Sequence, residues 1–104
     1  MYFSNNIKFL RKRRSRTQDD VAFALGMKRS TLSGYENEIS EPNIDALMAL
    51  SKYFNVAIDT LIKVDLSKIG ETQLSQLERG YDVHLKGSNI RVLATTVDSR
   101  NNEN

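Results

Sequence analysis

Ser30, Ser33, Gly34 and Asn37, with Arg29 just ahead of them, fall on one side of a helix when the chain is wound at about 100° per residue. The set is small and hydrogen-bonding, with one fork-shaped cation. Such groups suit the edges of base pairs: Arg pairs with guanine O6 and N7, Asn with adenine N6 and N7, and Ser with either. No competing chemistry stands out. His84 is the only histidine and has no Asp, Glu or Cys cluster at metal-ligand spacing around it, so it reads as a strand-face residue. There is no Gly-rich phosphate loop, no nucleophile elbow and no pair of carboxylates in an apolar setting. No enzyme, metal site or cofactor is expected.

The elements that must position these groups can be read on either side of Gly26. Thr17 can cap a helix through its hydroxyl, and Asp20 three residues on can return a bond to the Thr17 N–H. Val21, Ala22 and Leu25 line one face of that helix, with Gln18, Asp19 and Phe23 around it. Gly26 then stands where the helix must stop and the backbone must turn left-handed. Met27 plugs the corner, and a second short helix from Lys28 or Arg29 carries Leu32, Tyr35 and Ile39 as its apolar stripe. Two such helices, one buried and one presenting polar groups, make a helix-turn-helix. The plainer reading is a helical hairpin with a polar face.

Gln18, Ala22, Gly26, Met27, Leu32 and Tyr35 resemble, position for position, the helix-turn-helix of the phage repressor and Cro family. Glu36-Asn37 and the later Glu41-Pro42 extend the resemblance, which covers roughly residues 4–63. It implies that Gln18, Arg29, Ser30, Gly34 and Asn37 lie against bases, with Gly34 allowing close approach at a cost of about 1 kcal/mol in helix propensity. It also implies an ion pair between Arg11, after the Leu of helix one, and Glu36 near the end of the recognition helix. That pair would hold the scaffold and orient Arg11 toward a phosphate. Two positions depart from the pattern. Arg16 stands where the family has an apolar residue before Thr17, and its long stem can cover the same surface while its head reaches water. Glu38 stands where the family often has Gly.

Length and charge bound the rest. A chain of 104 residues supports one small domain plus an appendage. It has no cysteine, hence no disulfide framework or thiolate metal site, which fits a reducing cytoplasm. No apolar run is long enough to span a membrane, and the N-terminus has no charged-then-apolar signal pattern, so a soluble cytoplasmic protein without membrane contact is expected. The net charge of +2 divides unevenly, with +5 on residues 1–37 and −3 on residues 38–104. Positive charge thus sits with the proposed reading head, as a polyanion-binding surface requires.

In chain order, Ser4 or Asn5 can cap a first helix holding Ile7, Phe9 and Leu10. Six bases follow between Lys8 and Arg16. They serve either as a solubilising or signal-like run or as phosphate ligands supplying sequence-blind affinity. The candidate phosphate contacts are Arg11, Arg13, Arg14, Arg16, Thr17, Lys28, Ser33 and Asn43. Pro42 ends the segment after Asn37, and the acidic Glu38 and Glu41 argue against close approach of that loop to DNA, leaving a backbone N–H near Asn43. Asn43 caps a further helix whose expected buried face is Ile44, Leu47, Met48, Leu50 and Phe54, ended by a left-handed Asn55. Ala57–Ile62 forms a last short helix carrying Ile58, Leu61 and Ile62.

The fold expected is all-α: a compact five-helix, phage-repressor-like bundle over residues 1–65, followed by a helix and β-hairpin over 66–97 and a disordered tail over 98–104. The helix runs from Leu66 to Arg79 with Ile69, Leu74 and Leu77, interrupted by Gly70. Strands over 81–85 and 90–97 flank a turn at Lys86-Gly87-Ser88-Asn89. A lone helix and hairpin cannot bury their own apolar side, so this arm needs its own bundle, a second copy, or a further domain. The arrangement loosely resembles repressors that join this motif through a linker to a carboxyl-terminal oligomerisation or peptidase-like domain. The function expected is a transcriptional regulator, a repressor by preference, binding double-stranded DNA at a palindromic operator as a homodimer through recognition helix 28–37. The alternative is an antitoxin-like or adaptor module that uses the same bundle to bind protein.

Overall fold

The computed structural model describes residues 1–79 together with the strand segments 83–85 and 88–90. Six α-helices, α1 (Phe3–Arg13), α2 (Gln18–Leu25), α3 (Arg29–Glu36), α4 (Ile44–Phe54), α5 (Ile58–Lys63) and α6 (Glu71–Glu78), surround one core. A 3-10 turn, Leu66–Lys68, joins α5 to α6. Val83–Leu85 and Ser88–Ile90 form a short antiparallel ladder in which Val83 faces Ile90. Ser88 and Asn89 therefore pair as strand instead of turning. Residues 91–97 of the second expected strand and the tail 98–104 lie outside the described residues. Among the described residues no helix is long and apolar enough to cross a membrane.

Local signals set most of the boundaries. Thr17 Oγ1 accepts from Asp20 N at 3.0 Å and Asp20 Oδ2 accepts from Thr17 N at 2.8 Å, closing the capping box of α2. Gly26 ends α2 at φ +67°, and Asn55 ends α4 at φ +57°. Asn43 Oδ1 caps α4 by accepting from Ala46 N. The first helix begins earlier than the polar cap candidates suggest, at Phe3, because Phe3 is itself buried in the core. Ser4 and Asn5 lie inside the helix, whose N-cap is Tyr2.

The core runs through every helix. Phe3, Ile7, Leu10, Val21, Leu32, Leu50, Phe54 and Leu61 meet at its centre, and Leu66, Leu74 and Leu77 belong to the same cluster. Of the three surfaces open to the carboxyl-terminal helix, α6 uses its own bundle. A buried Asn6 stitches the two ends of this unit. Its amide donates to the carbonyls of Leu61 and Val64 at 2.7 and 2.6 Å, and its oxygen accepts from Leu66 N at 3.0 Å.

Three expectations about faces are corrected. Ile39 lies beyond the end of α3 and is 80% exposed, because Glu38 takes a left-handed φ of +60° and turns the chain out of the helix. Ile44 and Met48 are 72% and 46% exposed. The buried face of α4 is centred on Leu47, Leu50, Ser51 and Phe54, and Ile44 and Met48 lie about 70° and 110° round from it.

Replacing buried Leu77 by Ala is expected to lower the unfolding free energy by about 2–5 kcal/mol in denaturant titration. A loss below about 0.5 kcal/mol would mean that α6 merely rests on the bundle. Glu38→Gly removes a Cβ from a left-handed backbone and should raise stability by about 1 kcal/mol. A fall instead would show that the Glu38 side chain outweighs its backbone cost.

Candidate nucleic-acid interface

The site is built around one buried ion pair. Arg11, two residues before the end of α1, donates from Nε to Glu36 Oε2 at 2.7 Å and from Nη2 to Glu36 Oε1 at 2.9 Å. Its third nitrogen, Nη1, donates to the Arg16 carbonyl at 2.8 Å. Glu36 closes α3, and Gln18 at the first position of α2 donates to its Oε1 at 3.0 Å. Three helices thus meet at one carboxylate whose side chain is 1% exposed. Burial alone would push the Glu36 carboxyl up; hydrogen bonds from Arg11 and Gln18, with the positive charges of Arg11 and Lys8, outweigh it and hold the carboxyl below the ordinary range.

Around this anchor opens a groove of about 560 Å³ between the end of α1 and the starts of α2 and α3. It is lined by Arg11, Lys12, Ser15 and Arg16, by Thr17, Gln18 and Asp19 at the start of α2, and by Arg29 at the start of α3. Arg29 is extended into solvent, with its Nε 3.8 Å from Asp19 Oδ1. Arg16, Thr17, Lys28, Ser30 and Asn37 are exposed as well, and Ser33 is half-buried. The Asn37 amide donates to Ser33 O at 2.9 Å and to Ser33 Oγ at 3.2 Å, so pairing with a base would replace this local bond. Asn43 sits exposed at the start of α4 with its side chain occupied by the cap. Cationic walls beside an exposed row of short polar groups can hold a phosphate and a base edge together.

Several expected site residues are elsewhere. Gly34 is buried. The chain after Glu38 folds back so that Ile39 N and Ser40 N donate to Gly34 O, and a Cβ at Gly34 would meet Ser40 Oγ at 2.7 Å. This glycine makes room for its own loop, not for a groove floor. Arg13 is turned away to α6, where Glu71 accepts from both terminal nitrogens at 2.7 Å and Glu78 from Nε at 3.2 Å. Those carboxylates raise the Arg13 guanidinium well above its ordinary value, so it stays charged. Arg14 donates to the carbonyls of Tyr53 and Phe54 at the end of α4, where a cation is favoured, and lies 5.3 Å from the Phe54 ring centroid. Arg11 spends all three nitrogens inside the protein. Lys12 and Ser15 were not singled out from the sequence. The signal for Lys12 was its place four residues after Lys8, on a different helix side from Arg13 and Arg14. Among the described residues no group of His, Cys, Asp or Glu is placed to hold a metal.

Comparison with known proteins identifies the motif. Residues 7–61 match the helix-turn-helix family model. The chain is similar to the HTH-type transcriptional regulator ImmR of Bacillus subtilis (strain 168), 35% identical over 75 residues that cover 71% of this chain and 59% of ImmR. It is similar to the HTH-type transcriptional activator BcrR of Enterococcus faecalis, 32% identical over 84 residues, covering 79% of this chain and 41% of BcrR. The cryptic phage CTXphi transcriptional repressor RstR of Vibrio cholerae is 29% identical over 75 residues, covering 72% of this chain and 68% of RstR. The match thus spans only about half the length of the first two relatives. A solved SinR protein/SinI protein complex contains a chain of the same fold, with a TM-score of 0.59 at 24% identity, covering 74% of this chain and 75% of that one.

Removing one partner of a buried pair leaves the other charge uncompensated, so Glu36→Gln should cost about 3 kcal/mol of stability. The folded-state pKa of Glu36 is lowered, so its contribution is present above the ordinary glutamate range and lost as pH falls through the folded-state value. Unfolding measured from neutral to acid pH should therefore show a steep loss in the native chain and a shallower one in Glu36→Gln. Equal slopes would remove Glu36 as the source. Asp20 and Glu71, also lowered, keep the variant's slope from vanishing.

Proposed function

The chain belongs to the helix-turn-helix family of transcriptional regulators, and we propose that it binds double-stranded DNA sequence-specifically as a symmetric dimer, with α3 in the major groove. The observation that carries this reading is the exposed row Arg29, Ser30 and Asn37 beside the cationic groove of Lys12 and Arg16. Arg29, Ser30, Asn37 and the free oxygen end of Gln18 are proposed for base edges. Lys12, Arg16, Thr17, Lys28, Ser33 and the start of α4 at Asn43 are proposed for phosphates and so for register. Arg13, Arg14 and Gly34 are left out of the contact set because their partners are internal.

A helix of eight residues is about 12 Å long and reads only a few base pairs. Specificity against a genome then calls for two heads on half-sites about 34 Å apart, hence a palindromic operator and a dimer. The relatives include both an activator and a repressor, so the sign of regulation depends on where the operator lies. The function proposed is control of transcription from such a site in the cytoplasm.

Selection from a random duplex library should return an inverted repeat of that spacing. On the selected duplex, Arg29→Ala should lose about 1–3 kcal/mol and relax preference at one base pair. Lys12→Ala or Arg16→Ala should weaken all sequences alike and reduce the salt slope by about one. Arg13→Ala should leave that slope unchanged and lower thermal stability instead. No retention on duplex DNA at low salt would defeat the reading and favour a protein-binding module.

A further inference from the structure

We propose that the exposed face of α4, with Ile58 of α5 beside it, is where two copies of this chain meet, about a two-fold axis passing at Met48. The inference rests on the dimeric reading above and adds the place and geometry of the contact. Ile44 and Met48, one turn apart, are turned to solvent. Next to Met48 a shallow recess of about 220 Å³ is lined by Met48, Ser51, Lys52 and Ile58. A contiguous apolar strip of this kind on a small soluble domain marks an interaction surface.

Charge selects the occupant. Asp45 and Lys52 are seven residues apart and lie on the same flank of α4, within about 20° of one another. Both are exposed, and among the described residues neither has an ion-pair partner. Their midpoint in sequence falls between Met48 and Ala49, beside Met48. When two α4 helices pack antiparallel about a two-fold axis at that point, Met48 meets Met48 and enters the recess of the other copy. Asp45 of each copy then faces Lys52 of the other, so both ion pairs form at once. A surface that is its own complement is what an isologous contact requires. Two turns of one helix cover less than the roughly 800 Å² per partner of a standard stable interface. The free chain therefore pairs weakly, and binding to adjacent half-sites tightens the contact by raising the effective concentration.

Sedimentation equilibrium of the full chain tests this, with circular dichroism checking that each variant folds. The native chain should move from monomer to dimer as its concentration rises. Met48→Glu should weaken the dimer roughly tenfold or more, and so should Asp45→Lys or Lys52→Asp alone, each of which sets like charges together. The double variant Asp45→Lys/Lys52→Asp should recover the native constant to within about twofold. On DNA, Met48→Glu should bind a single half-site as the native chain does and lose cooperativity on two. A native chain monomeric throughout and non-cooperative on DNA, a Met48→Glu variant that dimerises normally, or a double variant without recovery overturns the proposal. Failure to bind any duplex, with the sedimentation results as expected, overturns the DNA reading and leaves this contact standing.

Discussion

The geometry of the reading head depends on a single buried carboxylate. Gly26 frees the backbone to turn, but a left-handed residue alone does not fix how α2 and α3 lie against α1. Glu36 does so by accepting from Arg11 on α1 and from Gln18 on α2 while belonging to α3. Removing two charges from water offsets much of what they gain from each other, so such a pair adds little net stability compared with apolar packing. Its contribution is directional. The guanidinium fork and the carboxylate match in only one arrangement, and Arg16 O takes the remaining nitrogen. The groove of Lys12, Arg16, Thr17 and Arg29 is the outer rim of that arrangement, so the electrostatics of the rim and the packing beneath it are one structure.

Much of the motif was legible because its signals are local. The Thr17–Asp20 box, Gly26, the Asn43 cap and the left-handed Asn55 each act within a few residues, and each is read from residue type and spacing alone. The Arg11–Glu36 pairing spans 25 residues and was reachable only through resemblance to a family. What was misread depended on distant or over-abundant groups. Gly34 looked like an opening toward a ligand because the loop that covers it comes five and six residues later. The apolar residues of α4 outnumber the places in its buried face, so periodicity could not tell which of Ile44, Met48, Leu47 and Leu50 would stay wet. Arg13 and Arg14 looked like phosphate ligands because their partners, Glu71, Glu78 and the end of α4, lie 39 to 65 residues away.

Those distant partners change the electrostatic picture. The +5 of the first 37 residues suggests one broad basic surface. The fold divides it instead. Glu71 and Glu78 neutralise Arg13, and Glu78 also lies 3.7 Å from Arg14, while Lys12 and Arg16 remain with Arg29 in the groove. The acids of α6 thus confine positive potential to the side that carries α3, which favours an oriented encounter with a polyanion over indiscriminate sticking. Leu74 and Leu77 anchor α6 in the same core. The cooperative unit therefore reaches well past residue 61, where the helix-turn-helix match ends.

Asn6 carries this over to the order in which a newly made chain can mature. Synthesis releases the amino-terminal half first, yet among the described residues the amide buried in α1 finds its acceptors at Leu61 and Val64 and its donor at Leu66. Until those residues have left the ribosome, the polar groups of Asn6 lack these partners, and a buried polar group without a partner destabilises the helix that carries it. The arrangement of the three helices around Glu36 thus depends on residues at both ends of the bundle.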